Sequence, residues 1–149
     1  MFTQNAVAAP PADCPADIVF VVDESGSIGS TNFNLMKSFL SQLIGRLDID
    51  SGNTRVGLVT YASNVGSGFN LSDYNTVASM QSAISSLTYS SGGTNTATAL
   101  AYVRTTMLTA AAGDRSNVPN VVVVLTDGHS NNANYTQVSR KCFVRYLYD

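Results

Sequence analysis

Three apolar runs divide the chain and predict buried strands. "DIVFVV" at 17–22, "TRVGLVTYAS" at 54–63 and "NVVVVLTDG" at 120–128 are rich in β-branched residues and lack regular polar alternation. This pattern is typical of strands that are covered on both faces. Residues 64–71, "NVGSGFNL", predict a short edge strand that is weakened by glycine and paired with the second run.

The segments between the runs predict helices. After the first run, apolar residues recur at three- and four-residue steps and define one helical face: Phe33, Met36, Phe39, Leu40, Leu43, Ile44 and Leu47. Ser30 or Thr31 is expected to cap this helix. Further helices are predicted over 76–87 and from about Asn95 to Ala112, the last ended by Gly113. Strands that alternate with helices predict an α/β fold, a parallel sheet with helices on both faces.

The two ends of the chain differ from this regular middle. Residues 1–16 contain three prolines and many alanines, and we expect a flexible lead-in before a domain that spans 17–149. The small residues "AVAA" resemble the end of a secretory signal, but no basic start or apolar core precedes them. The last stretch, 129–149, predicts one or two helical turns and a strand-like "CFVRYLY". A parallel crossover needs a dozen or more residues, so we expect the chain to stop before its sheet is complete.

Composition excludes several classes of function. The chain has 149 residues, 44% of them hydrophobic and 12% charged, which suits one compact domain. A net charge of −2 provides no basic surface for nucleic acid. No apolar run approaches the roughly 18 residues that a membrane span requires. We therefore expect no nucleic-acid partner and no membrane span.

Acids and hydroxyls follow the apolar runs where strands would end. Asp23 and Asp127 each terminate a predicted strand, and functional groups collect at the carboxyl ends of strands in doubly wound sheets. On neighbouring strands, about 4.8 Å apart, the two carboxylates would repel unless one is protonated or a cation neutralises both. The hydroxyl groups of Ser25, Ser27 and Thr94 favour the cation.

The oxygen-only donor set indicates which cation. Carboxylates, hydroxyls and water are the hard ligands that suit Mg²⁺, Mn²⁺ or Ca²⁺. Zinc prefers histidine or cysteine, and the chain has one histidine and two cysteines that are far apart in the sequence. The residues therefore predict a site for a hard divalent cation.

Three separated motifs carry a resemblance to a known family. "DESGS" after the first strand, the threonine of "GGTNT" and "LTDG" after a later strand resemble the metal-ion-dependent adhesion site of von Willebrand factor type A domains. The match covers about residues 13–139, and "CPADIVFVVDESGSIG" is similar to the repeats of extracellular matrix proteins such as collagen VI and matrilins. The resemblance implies a doubly wound, Rossmann-like sheet with strand order 3-2-1-4-5-6, in which the strands ending at Asp23 and Asp127 are adjacent.

The resemblance also implies roles for the site residues. Ser25, Ser27 and Thr94 would contact Mg²⁺, or Mn²⁺ or Ca²⁺ in its place, while Asp23 and Asp127 would hold it through water. An acidic group of a matrix protein such as collagen would fill the open position, which implies an extracellular, non-enzymatic binding module. Glu24 and His129 are expected to be exposed loop residues at the rim of this site, where Glu24 could tune the choice of partner.

The chain departs from the family at its end. Type A domains continue for two more strands and a final helix, whereas this sequence diverges from about residue 138 into "SRKCFVRYLYD". The resemblance thus implies a domain without its last elements and an exposed edge beside the Asp127 strand. Cys142 comes too early to be the usual partner of Cys14, so their pairing stays open.

Other interpretations remain possible on the sequence alone. Acids and serines also form turns and caps. A strand that ends in an acid, with a later "TDG", resembles phosphoryl hydrolases of the haloacid dehalogenase kind, although these need a second carboxylate where Ser25 stands. An intracellular type A subunit of a protein assembly is the other alternative. The glycosylation sequons at Asn70 and Asn134 matter only in a secreted chain.

Overall fold

A single five-stranded sheet organises the computed structural model, which describes residues 14–127 and 142–147. Its strands are β1 (Ala16–Asp23), β2 (Thr54–Tyr61), β3 (Val65–Phe69), β4 (Asn120–Leu125) and β5 (Cys142–Leu147). They lie in the order β3-β2-β1-β4-β5, with β3 antiparallel to β2 and the other neighbours parallel. The apolar runs and the edge strand predicted from the sequence are confirmed.

Helices cover both faces of this sheet. Helices α1 (Gly29–Ile44) and α2 (Val77–Ser85) share one core with Phe20 and Val22 of β1. Helix α3 (Thr96–Tyr102) lies on the other face, in a core with Val19 and Val21. Because alternate side chains of a strand point to opposite faces, β1 serves both cores and has no solvated side. The doubly wound α/β fold is confirmed.

The predicted cap of α1 is wrong. The helix begins at Gly29 with Ile28 at the N-cap position, and no side chain caps it. Ser30 and Thr31 therefore lie inside the first turn of the helix. A capping side chain must stand before the unpaired N–H groups of this turn to accept hydrogen bonds from them. The other two helices are capped by side chains, since Thr76 accepts from the Ser79 N–H and Asn95 from the Thr98 N–H.

The continuous helix predicted up to Ala112 is also wrong. After α3 the chain forms a π-helical turn over Val103–Met107 and then a 3-10 turn over Ala110–Ala112. The Leu108 N–H donates to a carbonyl five residues earlier at 2.9 Å, which widens the turn. Branched residues in this segment lose rotamer freedom in a regular helix and weaken it. Gly113, with φ of 94°, ends the segment as predicted.

The predicted exposed edge beside β4 is wrong as well. Strand β5 pairs with β4 in parallel register from Asn120↔Cys142 to Leu125↔Leu147. The connection, residues 126–141, is longer than the dozen or so residues that a parallel crossover needs. The prediction of a strand-like segment near the end of the chain is therefore confirmed for the backbone. The side chains of β5 lie outside the described residues.

Some of the sequence predictions concern the two ends of the chain, and one concerns a membrane span. Cys14 is an exposed, free thiol, whereas the side chain of Cys142 lies outside the described residues. The lead-in before Cys14, His129 and the sequon at Asn134 also lie outside them. Among the described helices none is long and apolar enough to cross a membrane.

Candidate metal-binding site

The loops after three neighbouring strands meet at the carboxyl end of the sheet. The parallel register sets Asp23 beside Tyr61 of β2 and ends β4 at Leu125, next to Val22. Thr126 and Asp127 follow directly at the same edge. Because β1 lies between β2 and β4, the loops after all three strands surround the end of β1. The strand order changes direction at β1, which is where ligands bind in open α/β sheets.

Asp23 is the buried anchor of this edge. Its side chain is 0% exposed, and its Oδ1 accepts the Ser25 N–H at 2.8 Å. Its Oδ2 accepts the Thr126 hydroxyl at 2.7 Å and lies 3.4 Å from the Tyr61 hydroxyl. These donors come from three different loops or strands and hold the carboxylate in one orientation. Oδ1, with one donor, keeps a further lone pair for a water or an ion.

Tyr61 acts as a neutral donor at this position. Burial raises the pKa of Tyr61 to about 12, the hydrogen bond with Thr96 opposes that rise, and the charge of Asp23 adds to it. The Thr96 hydroxyl lies 3.3 Å from the phenol oxygen. The phenol therefore keeps its proton at physiological pH and can donate it to the Asp23 carboxylate.

The loop after β1 carries a pair of hydroxyl oxygens. The Oγ atoms of Ser25 and Ser27 lie 3.2 Å apart, with Ser25 buried and Ser27 exposed. The Tyr89 hydroxyl donates to the Ser25 carbonyl at 2.9 Å and fixes the backbone from the side. Two hydroxyl oxygens at this spacing can act as neighbouring ligands of one small cation.

Thr94 belongs to a loop that is tied to both neighbours. The Gly26 N–H donates to the Gly92 carbonyl at 2.9 Å, so this loop touches the serine loop. The Asn95 N–H donates to the Ala62 carbonyl at 2.8 Å, which joins it to the end of β2. Gly92 has φ of 133°, a conformation that suits glycine and allows this close approach. Thr94 is 6% exposed between these two attachments.

The structure therefore brings the candidate ligands to one edge by different routes. Asp23, Ser25 and Ser27 share one loop, the Thr94 loop is bonded to that loop, and Asp127 follows the Thr126 that contacts Asp23. Asp127 is exposed at this edge. Among the described residues, no group of three or more histidine, cysteine, aspartate or glutamate side chains is placed to hold a metal. The donor set is thus mainly hydroxyl oxygen, which fits a hard cation that keeps waters.

The structure does not place Glu24 at an exposed rim. Its side chain is 2% exposed, and its Oε1 accepts the Thr60 hydroxyl at 3.1 Å. Successive side chains point to opposite faces of a strand, so the position after Asp23 turns away from the Asp23 side and under the β2–β3 hairpin. Within the described part of the chain, Glu24 Oε2 has no hydrogen-bond partner. The expectation of an exposed Glu24 is wrong, and His129, the other rim residue, lies outside the described residues.

Sequence reasoning missed the residues that support Asp23. Tyr61, Thr96 and Thr126 lie on three separate segments and reach Asp23 or one another only in the folded sheet. Thr126 precedes Asp127 directly in "LTDG", and Tyr61 ends the strand next to β1. The available signal was a polar residue at the end of each strand next to β1. It can be recognised only when the strand order is known.

Comparisons with known proteins agree with this fold. The family model of the von Willebrand factor type A domain matches residues 17–144 of this chain. The collagen alpha-4(VI) chain of Mus musculus is 40% identical over 87% of this chain, and matrilin-1 of Homo sapiens is 34% identical over 86%. Vitrin of Mus musculus is 35% identical over 85% of the chain. The chain spans 6%, 26% and 20% of the length of these three relatives, respectively.

Solved structures of proximal thread matrix protein 1 from the mussel byssus share the fold. One superposes with a TM-score of 0.80 at 25% identity, covering 90% of this chain and 37% of the other. Another, in which zinc occupies the MIDAS motif of that protein, has a TM-score of 0.79 at 24% identity and covers 90% of this chain and 38% of the other.

Proposed function

Because the chain belongs to the von Willebrand factor type A family, we propose that it is a binding module for matrix proteins that depends on a divalent cation. The relatives that support a matrix setting are a collagen VI chain and matrilin-1. The observation that carries the proposal is the convergence of hydroxyls and carboxylates on the end of β1, with Ser25 Oγ and Ser27 Oγ 3.2 Å apart.

The residues divide into two roles in this proposal. Ser25, Ser27 and Thr94 offer the hydroxyl oxygens that would contact the cation. Asp23 and Asp127 would act through water, and Asp23 is suited to this because protein donors already occupy positions on both of its oxygens. A bound divalent cation supplies positive charge that attracts an acidic side chain of the partner. Mg²⁺ or Mn²⁺ suits the oxygen donors, with Ca²⁺ as the larger alternative.

Binding is a better account of the site than catalysis. A phosphoryl hydrolase of the kind considered above needs a carboxylic acid two residues after its nucleophile, and Ser25 stands there with its N–H bonded to Asp23. The matched family and relatives give no support to a hydrolase. We therefore propose a non-enzymatic module outside the cell, with an acidic side chain of a matrix protein such as collagen as its ligand.

A thermal melting experiment tests the metal dependence. After chelation, addition of Mg²⁺ or Mn²⁺ at a hundred times its Kd should stabilise the fold by about 2.7 kcal/mol, which raises Tm by about 5–10 °C. Thr94→Ala should remove most of this gain because it deletes one hydroxyl ligand. Thr98→Ala is the matched control, since Thr98 is exposed on α3 and should keep the full gain. Ca²⁺ and Zn²⁺ serve as further arms to define the preferred ion.

Binding to immobilised collagen then tests the partner. We expect retention in Mg²⁺ that is lost with a chelator and with Thr94→Ala but kept in Thr98→Ala. Equal Tm values with and without every ion tested would refute the metal site. A metal-dependent Tm without metal-dependent retention would reject collagen as the ligand and leave the cation site standing.

A further inference from the structure

The sequon Asn70-Leu71-Ser72 lies in a turn directly after the edge strand β3. Leu71 is 1% exposed and packs in the core of the α3 face, so it anchors the middle of the sequon. Ser72 is exposed and Asn70 is half-buried on either side of it. The two residues that carry the modification signal therefore flank the anchoring leucine at the surface.

The backbone of the sequon is held while its amide side chain stays available. The Asn70 N–H donates to Asp73 Oδ2 at 2.7 Å, and the Asp73 N–H donates to the Asn70 carbonyl at 3.2 Å. To the residues that the structure describes, the Asn70 side-chain amide makes no hydrogen bond. A cavity of about 220 Å³ opens beside it, bordered by Gly66, Gly68 and Tyr102. The turn is thus held by its own hydrogen bonds, and Asn70 borders open space.

The strand next to this turn has an open edge. Within the described residues β3 pairs with β2 alone, and its central residues 66–68 are exposed. Edge strands avoid pairing with other chains by short length, bulges, charges, proline or a covering segment. Strand β3 has five residues, and its pairing with β2 shifts register between Val59 and Tyr61. The sequence of β3, "VGSGF", contains no charge and no proline. Short length and irregular pairing limit this edge, and a covering group at its end would protect it further.

We propose that Asn70 carries an N-linked oligosaccharide that shields the open edge of β3. In this reaction the Asn70 Nδ2 forms a bond to the anomeric carbon of a lipid-pyrophosphate-linked oligosaccharide. The bond from that carbon to the pyrophosphate oxygen breaks, the lipid pyrophosphate leaves, and the amide proton passes to a base of the transferase. The proposal rests on the extracellular function proposed above, because only chains that enter the secretory pathway meet this transferase.

The position of Asn70 keeps the glycan away from the cation. Strand β3 runs antiparallel to β2, with Phe69 opposite Leu58 and Val65 opposite Tyr61. Asn70 follows Phe69, so it lies about 10 Å or more from the carboxyl edge at 3.3 Å per residue. A glycan at this position covers the side of the sheet and leaves the metal edge open to a partner.

Secretion of the whole chain from eukaryotic cells behind a cleavable leader tests the modification. The Asn134→Gln background removes the second sequon. Treatment with peptide N-glycosidase in heavy-oxygen water then converts a glycosylated Asn70 into heavy aspartate, which peptide mass spectrometry detects. We expect this label in the background chain and in its Ser72→Thr form, and its loss in Ser72→Ala. Ser67→Ala, an exposed serine outside the sequon, should keep it.

An unlabelled Asn70 in the secreted background chain would overturn the modification. Native removal of the glycan should raise the dimer fraction severalfold in sedimentation velocity, and an unchanged distribution would overturn the shielding role. Melting with and without Mg²⁺ on the same samples separates this proposal from the previous one. If Asn70 is labelled but Mg²⁺ does not change Tm, only the cation site is contradicted. If Asn70 is unlabelled but Mg²⁺ raises Tm, only the glycan is contradicted.

Discussion

At the residue scale, Glu24 shows how burial can oppose a local expectation. Its carboxyl group lies under the β2–β3 hairpin and has one described donor, the Thr60 hydroxyl. Thr60 also lies 3.1 Å from the Ser67 carbonyl, so its single hydrogen has two acceptors. Acceptors therefore outnumber donors around this carboxyl group, and a buried carboxylate in that situation is costly.

Glu24→Gln should stabilise the metal-free protein. The amide keeps the shape of the side chain, removes the charge and adds two donors for the surplus acceptors, which we expect to raise the free energy of unfolding by about 1–2 kcal/mol. Urea denaturation with chelator present measures this. Glu24→Asp, which keeps the charge, is the matched control and should show no gain. A loss of stability in Glu24→Gln would mean that the charge itself is used in the fold.

Local sequence was informative for Asp23, Ser25 and Ser27, since the "DESGS" pattern puts them in one short loop. It could not reveal that Tyr61 and Thr126 hold Asp23, because these contacts join residues 38 and 103 positions apart. The solvent exposure of each side chain could not be predicted from the local sequence either. Glu24 and Ser27 stand in the same short polar motif, yet one is buried and the other exposed.

At the element scale, the β2–β3 hairpin depends on glycine for close backbone approach. A Cβ at Gly68 would collide with the Leu58 carbonyl oxygen and lie 2.9 Å from Val59 Cα. Both are backbone atoms and cannot swing aside. Glycine within a strand often marks such a site. Gly68, although it weakens β3 as a strand, is thus required for its pairing with β2.

Gly68→Ala should destabilise the hairpin. Overpacking of this kind costs about 1–3 kcal/mol, and we expect the urea midpoint to fall accordingly. Ser67→Ala tests the neighbouring exposed position and should change stability by less than about 0.5 kcal/mol. If Gly68→Ala unfolds at the same midpoint as Ser67→Ala, the hairpin can separate without loss of the core.

Apolar patterns were sufficient for elements that are decided within one segment. Strands β1 and β4 and helix α2 follow from runs and spacing alone. The third helix was predicted as continuous, because its alanine-rich sequence does not show that a π-helical turn lies at Val103–Met107. Such a turn depends on packing against the sheet as well as on local preference.

At the scale of the whole molecule, the amino edge of the sheet has its own polar centre. Arg115 donates from its backbone N–H and its Nε to the two oxygens of Asp17, at 2.8 and 2.9 Å. Its guanidinium also donates to the Gly52 and Asn53 carbonyls, both at 2.9 Å. Asp17 is 0% exposed, so this single arginine neutralises a buried charge and joins three segments.

Arg115→Ala should leave Asp17 buried without a counter-charge. The loss of one partner of a buried pair costs about 3–5 kcal/mol, which we expect as a lower free energy of unfolding in urea. Arg104→Ala, an exposed position on the π-helical turn, is the control and should have little effect. The gain in Tm with Mg²⁺ should persist in Arg115→Ala because distant sites act independently. Loss of that gain would indicate coupling between the two edges of the sheet.

The sequence by itself determined the fold class, the three buried strands and the motif that marks the carboxyl edge. Each of these depends on residues that are close along the chain or on one apolar period. Only the tertiary structure decided that β5 pairs with β4, that Glu24 is buried, and that Arg115 meets Asp17. These facts depend on register and packing between distant segments, which local pattern does not encode.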